Sequence, residues 1–258
     1  MSRIDRTVSN HEVIPVVPTS RVFESNPESR LSAGILAVDG RAVPGLEAEY
    51  AAHFQLRRRV YVDQTAQLAA DELDEDGTDR DQDDARSVTF AVFEQADAGV
   101  RIVGVSRLIV RGDRPLPVEE FCPDAFAAIP LSGNAVEVSR VIARHEKAAL
   151  QDLVQWQLFA LMLAYIPPHG LGRTFAIIEP WLERHLRGII ALERIGDVRY
   201  VAHYLDYNVP IEIDIPESTV CVDARNDSFI AAFQAADPGL AYFGRAPRRS
   251  SEPERVDA

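Results

Sequence analysis

The chain has little cysteine, no long apolar run and no excess of basic residues, and each shortage excludes a class of protein. Its 258 residues include two cysteines, too few for a disulfide framework or a cysteine-based metal site. No apolar stretch reaches the roughly 20 residues that span a bilayer. Asp and Glu number 40 against 27 Lys and Arg, and the net charge of −13 argues against nucleic acid as a general partner. We therefore expect a cytoplasmic protein without an integral membrane segment.

Motifs for hydrolysis and metal binding are also missing. The sequence contains no Gly-x-Ser-x-Gly motif, which disfavours a serine hydrolase. Residues 71–84 carry nine acids and one arginine and only loosely imitate a calcium loop, because Glu72 stands at its first ligand position and Asp83 at its last. A stretch this charged is typical of a solvated loop, and we expect no metal site.

The remaining composition is that of a globular domain. Apolar residues make up 47% of the chain and charged residues 26%. Pro, Ser and Arg are frequent at both ends of the chain. We therefore predict a flexible arm over residues 1–40, one folded domain over residues 41–244 and a disordered tail over residues 245–258.

Apolar periodicity predicts an α/β fold. Helical spacing is found over residues 45–63, 148–166 and 180–191, with a last short helix starting at Asn226 or Asp227 and ending at residue 235. Strand patterns are found over residues 87–94, 100–110, 135–142, 174–179, 198–204, 210–215 and 219–222, with a further short strand near 32–38. This order predicts a mainly antiparallel sheet with one right-handed strand–helix–strand crossover between residues 135 and 179.

Charged residues lie on the apolar faces of several of these elements. Arg57 shares the apolar stripe of the first helix, and Arg107 shares a strand face with valines and an isoleucine. The strand at 135–142 carries Glu137 and Arg140. Because burying a charge is costly, these residues are either structural ion pairs or the floor of a site. Strict alternation puts Glu137 and Arg140 on opposite faces, so a shared site requires a β-bulge between residues 137 and 141.

In chain order, these residues resemble the motifs of the acyl-homoserine lactone (LuxI-type) autoinducer synthases and the N-acyl amino acid synthases of the GCN5-related N-acetyltransferase (GNAT) superfamily. The resemblance covers about residues 45–215. It is carried by Arg57 with Val60-Tyr61, the acidic pair Asp81 and Asp84, Gly104-Val105-Ser106-Arg107-Leu108, Phe121, and Glu137-Val138-Ser139-Arg140. It implies a GNAT-like fold: a mixed, mainly antiparallel central sheet flanked by helices, with a splayed parallel strand pair.

The resemblance also implies an activity. It implies an N-acyltransferase that moves an acyl chain from a thioester of acyl carrier protein or coenzyme A to a small-molecule amine acceptor, without a resident cofactor. Glu137 is the candidate base, acting through a water molecule, with Ser139 and Arg140 beside it as catalytic residues. The implied substrate-binding residues are Arg57, Tyr61, Asp81, Asp84, Arg107 and Phe121.

Residues 144–147 stand where acetyl-coenzyme A users carry a Gly-rich pyrophosphate loop. Arg144, His145 and Lys147 are the candidates for binding the carrier protein or coenzyme A. Two alternatives stay open. One is an ordinary acetyl-coenzyme A GNAT N-acetyltransferase, and the other is a catalytically degenerate acyl-binding or scaffold module in which Glu137 is only an ion-pair partner of Arg107 or Arg140.

Overall fold

A computed structural model of the protein describes residues 23–26, 31–96, 99–188 and 190–218. Within these residues, ten strands form one sheet in the order β1-β2-β4-β5-β6-β7-β10-β8, with β3 paired to β2 and β9 paired to β10. The strands are β1 Phe23–Asn26, β2 Leu31–Val38, β3 Arg41–Ala42, β4 Ser87–Ala96, β5 Gly99–Val110, β6 Val136–Ala143, β7 Thr174–Ile178, β8 Leu192–Arg194, β9 Arg199–Val201 and β10 Asp206–Ile213. The helices are α1 Glu47–Arg58, α2 Pro117–Phe121, α3 Pro123–Phe126, α4 Ala148–Tyr165 and α5 Pro180–Leu186.

The α/β, GNAT-like fold class is confirmed. The strand pairs are antiparallel except for β6 and β7, which run parallel on either side of the α4 crossover. These two strands pair at only two positions, Val136 with Thr174 and Glu137 with Phe175, and then separate. A gap therefore opens between their carboxyl ends.

The predicted β-bulge in β6 is also confirmed. Arg107 of β5 pairs with Ser139, whereas Val105 pairs with Ile142, so β6 has one more residue than β5 between these two positions. Arg140 lies in the extra segment and has a φ of 52°, in the left-handed region that non-glycine residues rarely adopt. The bulge changes the direction of Arg140, as a shared site with Glu137 requires.

The long helix α4 packs on the sheet through a close contact at Gly104 of β5. A side chain at this position would meet Val154 Cγ1 and, at 3.2 Å, Leu158 Cδ1 of the helix. Both helix residues are fully buried. Glycine therefore allows α4 to approach β5 closely enough to close the main hydrophobic core. None of the helices in the described parts of the chain has both the length and the apolar character needed to cross a membrane.

Several predicted boundaries need correction. The short strand predicted near residues 32–38 is confirmed as β2, but it belongs to the folded core and not to the arm, because Leu31, Ala33 and Ile35 bury their side chains there. The helix predicted over residues 45–63 ends as an α-helix at Arg58 and continues as a π-helical turn, Arg59–Gln64. The strand predicted over residues 198–204 shortens to β9. The predicted elements at 219–222 and 226–235, the tail and most of the arm lie outside the described residues.

Candidate active site

Helix α1 brings Arg57 into contact with the acidic loop that precedes β4. Its guanidinium donates two hydrogen bonds to Asp79, at 3.2 and 3.0 Å, and a third to Asp84 Oδ1 at 2.7 Å. All three side chains are almost fully buried. The loop predicted to be solvated is therefore held against helix α1 at Asp79 and Asp84.

Arg107 links the same loop to strand β6. Its Nη1 donates to Asp81 Oδ1 at 2.6 Å and to Asp84 Oδ1 at 2.9 Å, while Nε and Nη2 both donate to Ser139 Oγ. Burial alone would lower the pKa of Arg107, but the carboxylates of Asp81 and Asp84 outweigh it and raise that pKa well above its usual value. Because Ser139 Oγ accepts both bonds, its own proton is left to donate elsewhere.

Arg140 joins this network from the bulge. It donates to both oxygens of Asp79, at 2.9 and 3.3 Å, and its guanidinium carbon lies 5.3 Å from the centre of the Tyr61 ring. The Tyr61 hydroxyl donates to the carbonyl of Val141 in the same bulge. Burial raises the pKa of Tyr61 to about 12, so this phenol stays protonated. The bulge is therefore held by Asp79 through Arg140 and by Tyr61, a predicted substrate-binding residue, through Val141.

Asp79 is the member of the network that sequence reasoning missed. It bridges Arg57 and Arg140 while only 2% exposed. Burial favours its neutral form, but the two guanidinium groups prevail and lower its pKa to about 2. In the sequence it is one acid among nine in a charged run, and only the arginines that it binds distinguish it from its neighbours.

Glu137 lies apart from these arginines, fully buried where β6 and β7 begin to separate. Its Oε2 accepts a hydrogen bond from the backbone N–H of Val118 at 2.8 Å, and its Oε1 has no partner among the described residues. Burial raises its pKa to about 8, against the smaller opposing effects of the Val118 N–H and Arg107. A carboxyl group in this state can exchange a proton near neutral pH.

Tyr204 is a second site residue that the sequence did not reveal. It follows β9, and its ring packs edge-to-face against Phe121 with the centroids 5.4 Å apart. Burial, and then the nearby charge of Glu137, raise the pKa of its phenol, which therefore keeps its proton. The predicted site residue Phe121 also stacks on His203, the neighbour of Tyr204, and so packs against two successive residues of this turn. No local pattern marks a tyrosine in a short 3₁₀ turn as a site residue.

A cavity of about 360 Å³ fills the gap between β6 and β7. Its volume lies within the usual range for small-molecule sites. Five predicted site residues line the cavity together with Tyr204: Tyr61, Glu137, Ser139, Arg140 and Arg144. Four others form the adjoining ion-pair network: Arg57, Asp81, Asp84 and Arg107. The apolar part of the wall comes from β6, β7, β10, α4 and α5, and includes Val138, Phe159, Ala176, Leu182, Leu186 and Ile211.

The three candidate carrier-binding residues lie after β6 in different environments. Arg144 is exposed and lines the cavity. Lys147 is exposed at the start of α4, while the His145 ring packs inward against Glu94, 3.1 Å from its Oε1, and accepts the backbone N–H of Lys147. Among the described residues, no group of three or more His, Cys, Asp or Glu side chains is arranged to hold a metal ion.

Several solved structures share this fold. A CoA-dependent acyl-homoserine lactone synthase, BjaI, determined with SAM and isopentyl-CoA, matches with a TM-score of 0.60 and 21% identity over 76% of this chain and 90% of its own. The acyl-homoserine lactone synthase LasI matches with a TM-score of 0.56 and 13% identity, over 75% and 94% of the two chains. FeeM, an N-acyl amino acid synthase from uncultured soil microbes, matches at 0.55 and 19%, over 74% and 94%.

No protein-family model and no curated protein sequence matches this chain. The structural matches nevertheless confirm, for the fold, the resemblance carried by its motifs. The chain therefore has the GNAT-like fold of the acyl-homoserine lactone and N-acyl amino acid synthases.

Proposed function

We propose that this protein is an N-acyltransferase that moves an acyl chain from a thioester to an amine. The observation that carries the proposal is Glu137, a fully buried residue at an apolar cavity between two separating parallel strands, whose Oε1 has no partner among the described residues. A buried oxygen without a donor is costly, and an N–H of a bound amine would satisfy it. Ser139, Arg140 and Tyr61 line the same cavity, and the network of Arg57, Asp81, Asp84 and Arg107 adjoins it.

The reaction needs a neutral amine, because an ammonium group has no lone pair to attack a carbonyl. Glu137 takes the proton from the acceptor ammonium, directly or through a water molecule. The amine nitrogen then forms a bond to the thioester carbonyl carbon, and the C–S bond breaks as the tetrahedral intermediate collapses. The nitrogen loses a second proton during this collapse, and the leaving sulfur takes it up, so the products are an amide and a thiol. The first proton passes from Glu137 to solvent.

The developing negative charge requires hydrogen-bond donors. The Ser139 hydroxyl fits this role, because Arg107 occupies its oxygen from behind and leaves its proton free to donate. The phenol of Tyr204, kept protonated by its raised pKa, fits it as well. The network of Arg57, Asp79 and Asp84 would hold the acidic loop, and with it Arg107 and Arg140, in place during the reaction.

The cavity favours an acyl chain longer than acetyl. A two-carbon acetyl group would leave most of about 360 Å³ of largely apolar space unfilled. The donor would be acyl carrier protein or acyl-CoA, since both present the same thioester, and exposed Arg144 and Lys147 could meet the anionic carrier. With a small-molecule amine as the acceptor, the expected product is an N-acyl amide of the autoinducer type.

The test is to supply the purified full chain with acyl-CoA and acyl-carrier thioesters of graded length and a panel of amines, and to detect N-acyl products by mass spectrometry. We expect amide formation with long-chain donors and its loss in Glu137→Gln. Exposed Glu75→Gln, which lies outside the cavity, is the matched control. Thioester binding with no amide from any pair would contradict the proposal and favour the scaffold alternative.

A further inference from the structure

Helix α5 forms a wall of the cavity that has solvent behind it. Leu182 and Leu186 on the helix and Ile190 just after it line the cavity, whereas Arg184 and Arg187 on the other side are exposed. The walls formed by β6, β7, β10 and α4 are held by the sheet and by the main hydrophobic core. Because α5 is only seven residues long, it can shift with less loss of packing than they can.

A buried carboxylate on α5 attaches this helix to the sheet. Glu183 is 1% exposed, and Arg194 of β8 donates to both of its oxygens, from Nε at 2.8 Å and from Nη2. Arg187 donates twice to Glu183 Oε1, at 2.9 and 2.6 Å. The hydrogen bonds from Arg194 and then those from Arg187 outweigh burial and lower the pKa of Glu183 to about 2, so this carboxyl is ionised at neutral pH.

The pair of Glu183 and Arg194 connects two walls of the same cavity. Its two parallel N–H···O bonds fix the relative orientation of the two groups as well as their distance. Arg194 pairs with Ile211 of β10 in the sheet, and Ile211 lines the cavity opposite the residues of α5. The ion pair therefore sets the distance between α5 and β10, and with it the space between them.

We infer that Glu183 and Arg194 determine the longest acyl chain that the protein accepts, because their ion pair fixes α5 as the outer wall of the cavity. The inference rests on the proposed function, in which the acyl chain enters this cavity, and adds the residues that limit its length. Both are positioning residues, since neither lines the cavity. Without the ion pair, α5 is held by apolar contacts such as those of buried Leu186, and the wall yields to a longer chain.

The test measures the binding of saturated acyl-CoA thioesters, from butanoyl to hexadecanoyl, to the full chain by calorimetry without an amine. In the wild type we expect affinity to rise about fourfold per added methylene until the cavity is full, and then to stop rising. Arg194→Met removes the attachment but leaves Glu183 paired with Arg187, so the buried carboxylate keeps a partner. In this variant the rise should continue to longer chains, while butanoyl-CoA binds as it does to the wild type.

Glu183→Gln should move the length limit in the same direction. Combining it with Arg194→Met should add little, because both changes break the same contact. Arg173→Met is the matched control, since it removes a similar pair of hydrogen bonds from an arginine to Glu212 of β10, and neither of these residues lines the cavity.

An unchanged length limit in Arg194→Met and Glu183→Gln, a parallel loss at every chain length, or a shift shared by Arg173→Met would overturn the inference. Because binding is measured without turnover, this outcome is separate from that of the proposed function. A shifted limit with no amide product from any amine would leave the role of Glu183 and Arg194 standing and contradict acyl transfer. Amide formation with an unshifted limit would do the reverse.

Discussion

Glu137 makes the stability of the protein depend on pH in a direction that is unusual for a carboxyl group. Its folded-state pKa of about 8 exceeds its ordinary value of 4.5 because the side chain is fully buried. The folded state therefore binds a proton that the unfolded chain releases, so stability is fully present below about pH 4.5 and is lost as pH rises through 8. We expect Glu137→Gln, which is always neutral, to melt at an increasingly higher temperature than the wild type between pH 5 and pH 9.

The control for this change is Glu75→Gln, whose exposed carboxylate should give no pH-dependent difference. Glu137→Gln also distinguishes a role of Glu137 as a general base from a role in packing alone. Acyl transfer by the wild type should rise with pH through about 8, and Glu137→Gln should cost 10²–10⁴-fold in turnover, the usual range for a lost general base. A melting difference that does not change with pH would rule out the buried, protonated carboxyl.

The stability that Asp79 contributes depends on pH in the opposite direction. Arg57 and Arg140 overcome the effect of burial and lower its pKa to about 2, so its contribution is present above its ordinary pKa of 3.8 and is lost as pH falls toward 2. Asp79→Asn leaves two buried guanidinium groups short of a counter-charge. Breaking one partner of a buried pair costs about 3–5 kcal/mol. Urea unfolding at pH 7 should show this loss, whereas Asp76→Asn in the same loop, with an exposed side chain, should leave the midpoint nearly unchanged.

Individual residues differed in how far the sequence revealed them. Arg57, Arg107 and Arg140 could be predicted, because a charge on an apolar face needs a partner wherever the chain folds. Asp79 could not be predicted, since its nine-acid neighbourhood gives every carboxylate the same local pattern. Tyr204 could not be predicted either, because its contact with Phe121 and its place in the cavity wall arise only in three dimensions.

Among the elements, the contact between α4 and β5 depends on one missing side chain. Gly104→Ala would place a Cβ against Val154 Cγ1, 3.2 Å from the Ile142 carbonyl and 3.2 Å from Leu158. Overpacking of this kind costs about 1–3 kcal/mol. We expect that loss in chemical unfolding, and we expect Val154→Ala to cost less in the Gly104→Ala background than in the wild type, because it removes the clashing methyl group.

Gly188→Ala is the matched control for the helix contact. Its added Cβ would approach nothing nearer than the His185 carbonyl at 3.8 Å. The stability of this variant should equal that of the wild type or exceed it slightly. If Gly104→Ala were equally harmless, α4 would not be seated as closely on β5 as the structure has it.

The elements themselves were mostly readable from periodicity, and the exceptions have physical causes. Strands β4 to β7 and helix α4 carry clear apolar patterns, and the bulge followed from the need of Glu137 and Arg140 to share a site. Strand β2 was predicted as a short strand, but it was included in the flexible arm because Pro, Ser and Asn precede it, although its own residues are apolar. The end of α1 was misplaced because a π-helical turn keeps nearly the same apolar stripe.

For the molecule as a whole, the resemblance implied a splayed parallel strand pair, but no single segment could predict the cavity that it forms. It exists because β6 and β7 stop pairing after Glu137 and Phe175, so that α4, α5 and β10 close the space between them. Splaying is a property of two strands joined by a crossover of some thirty residues. The apolar pattern of each strand indicates only that the strand is buried. Because both strands are buried whether they pair fully or separate, the pattern does not distinguish the two arrangements.

This origin leads to a prediction about acyl length. Ala176 lies on β7 in the apolar wall, and larger side chains there would fill the cavity from inside. In the series Ala176→Val, Ala176→Leu and Ala176→Phe, we expect the preferred thioester to become progressively shorter. Each methylene that no longer fits should cost about tenfold or more in kcat/KM for the long donor.

Competition between thioesters of graded length, read as product ratios by mass spectrometry, measures this shift independently of enzyme concentration. Ala52→Phe adds the same volume at an exposed position of α1 and should leave the ratios unchanged. A short-chain donor should keep its kcat/KM in all four variants, which separates a filled cavity from a misfolded chain. If long and short donors lost activity in parallel along the series, the acyl chain would not occupy the space between β6 and β7.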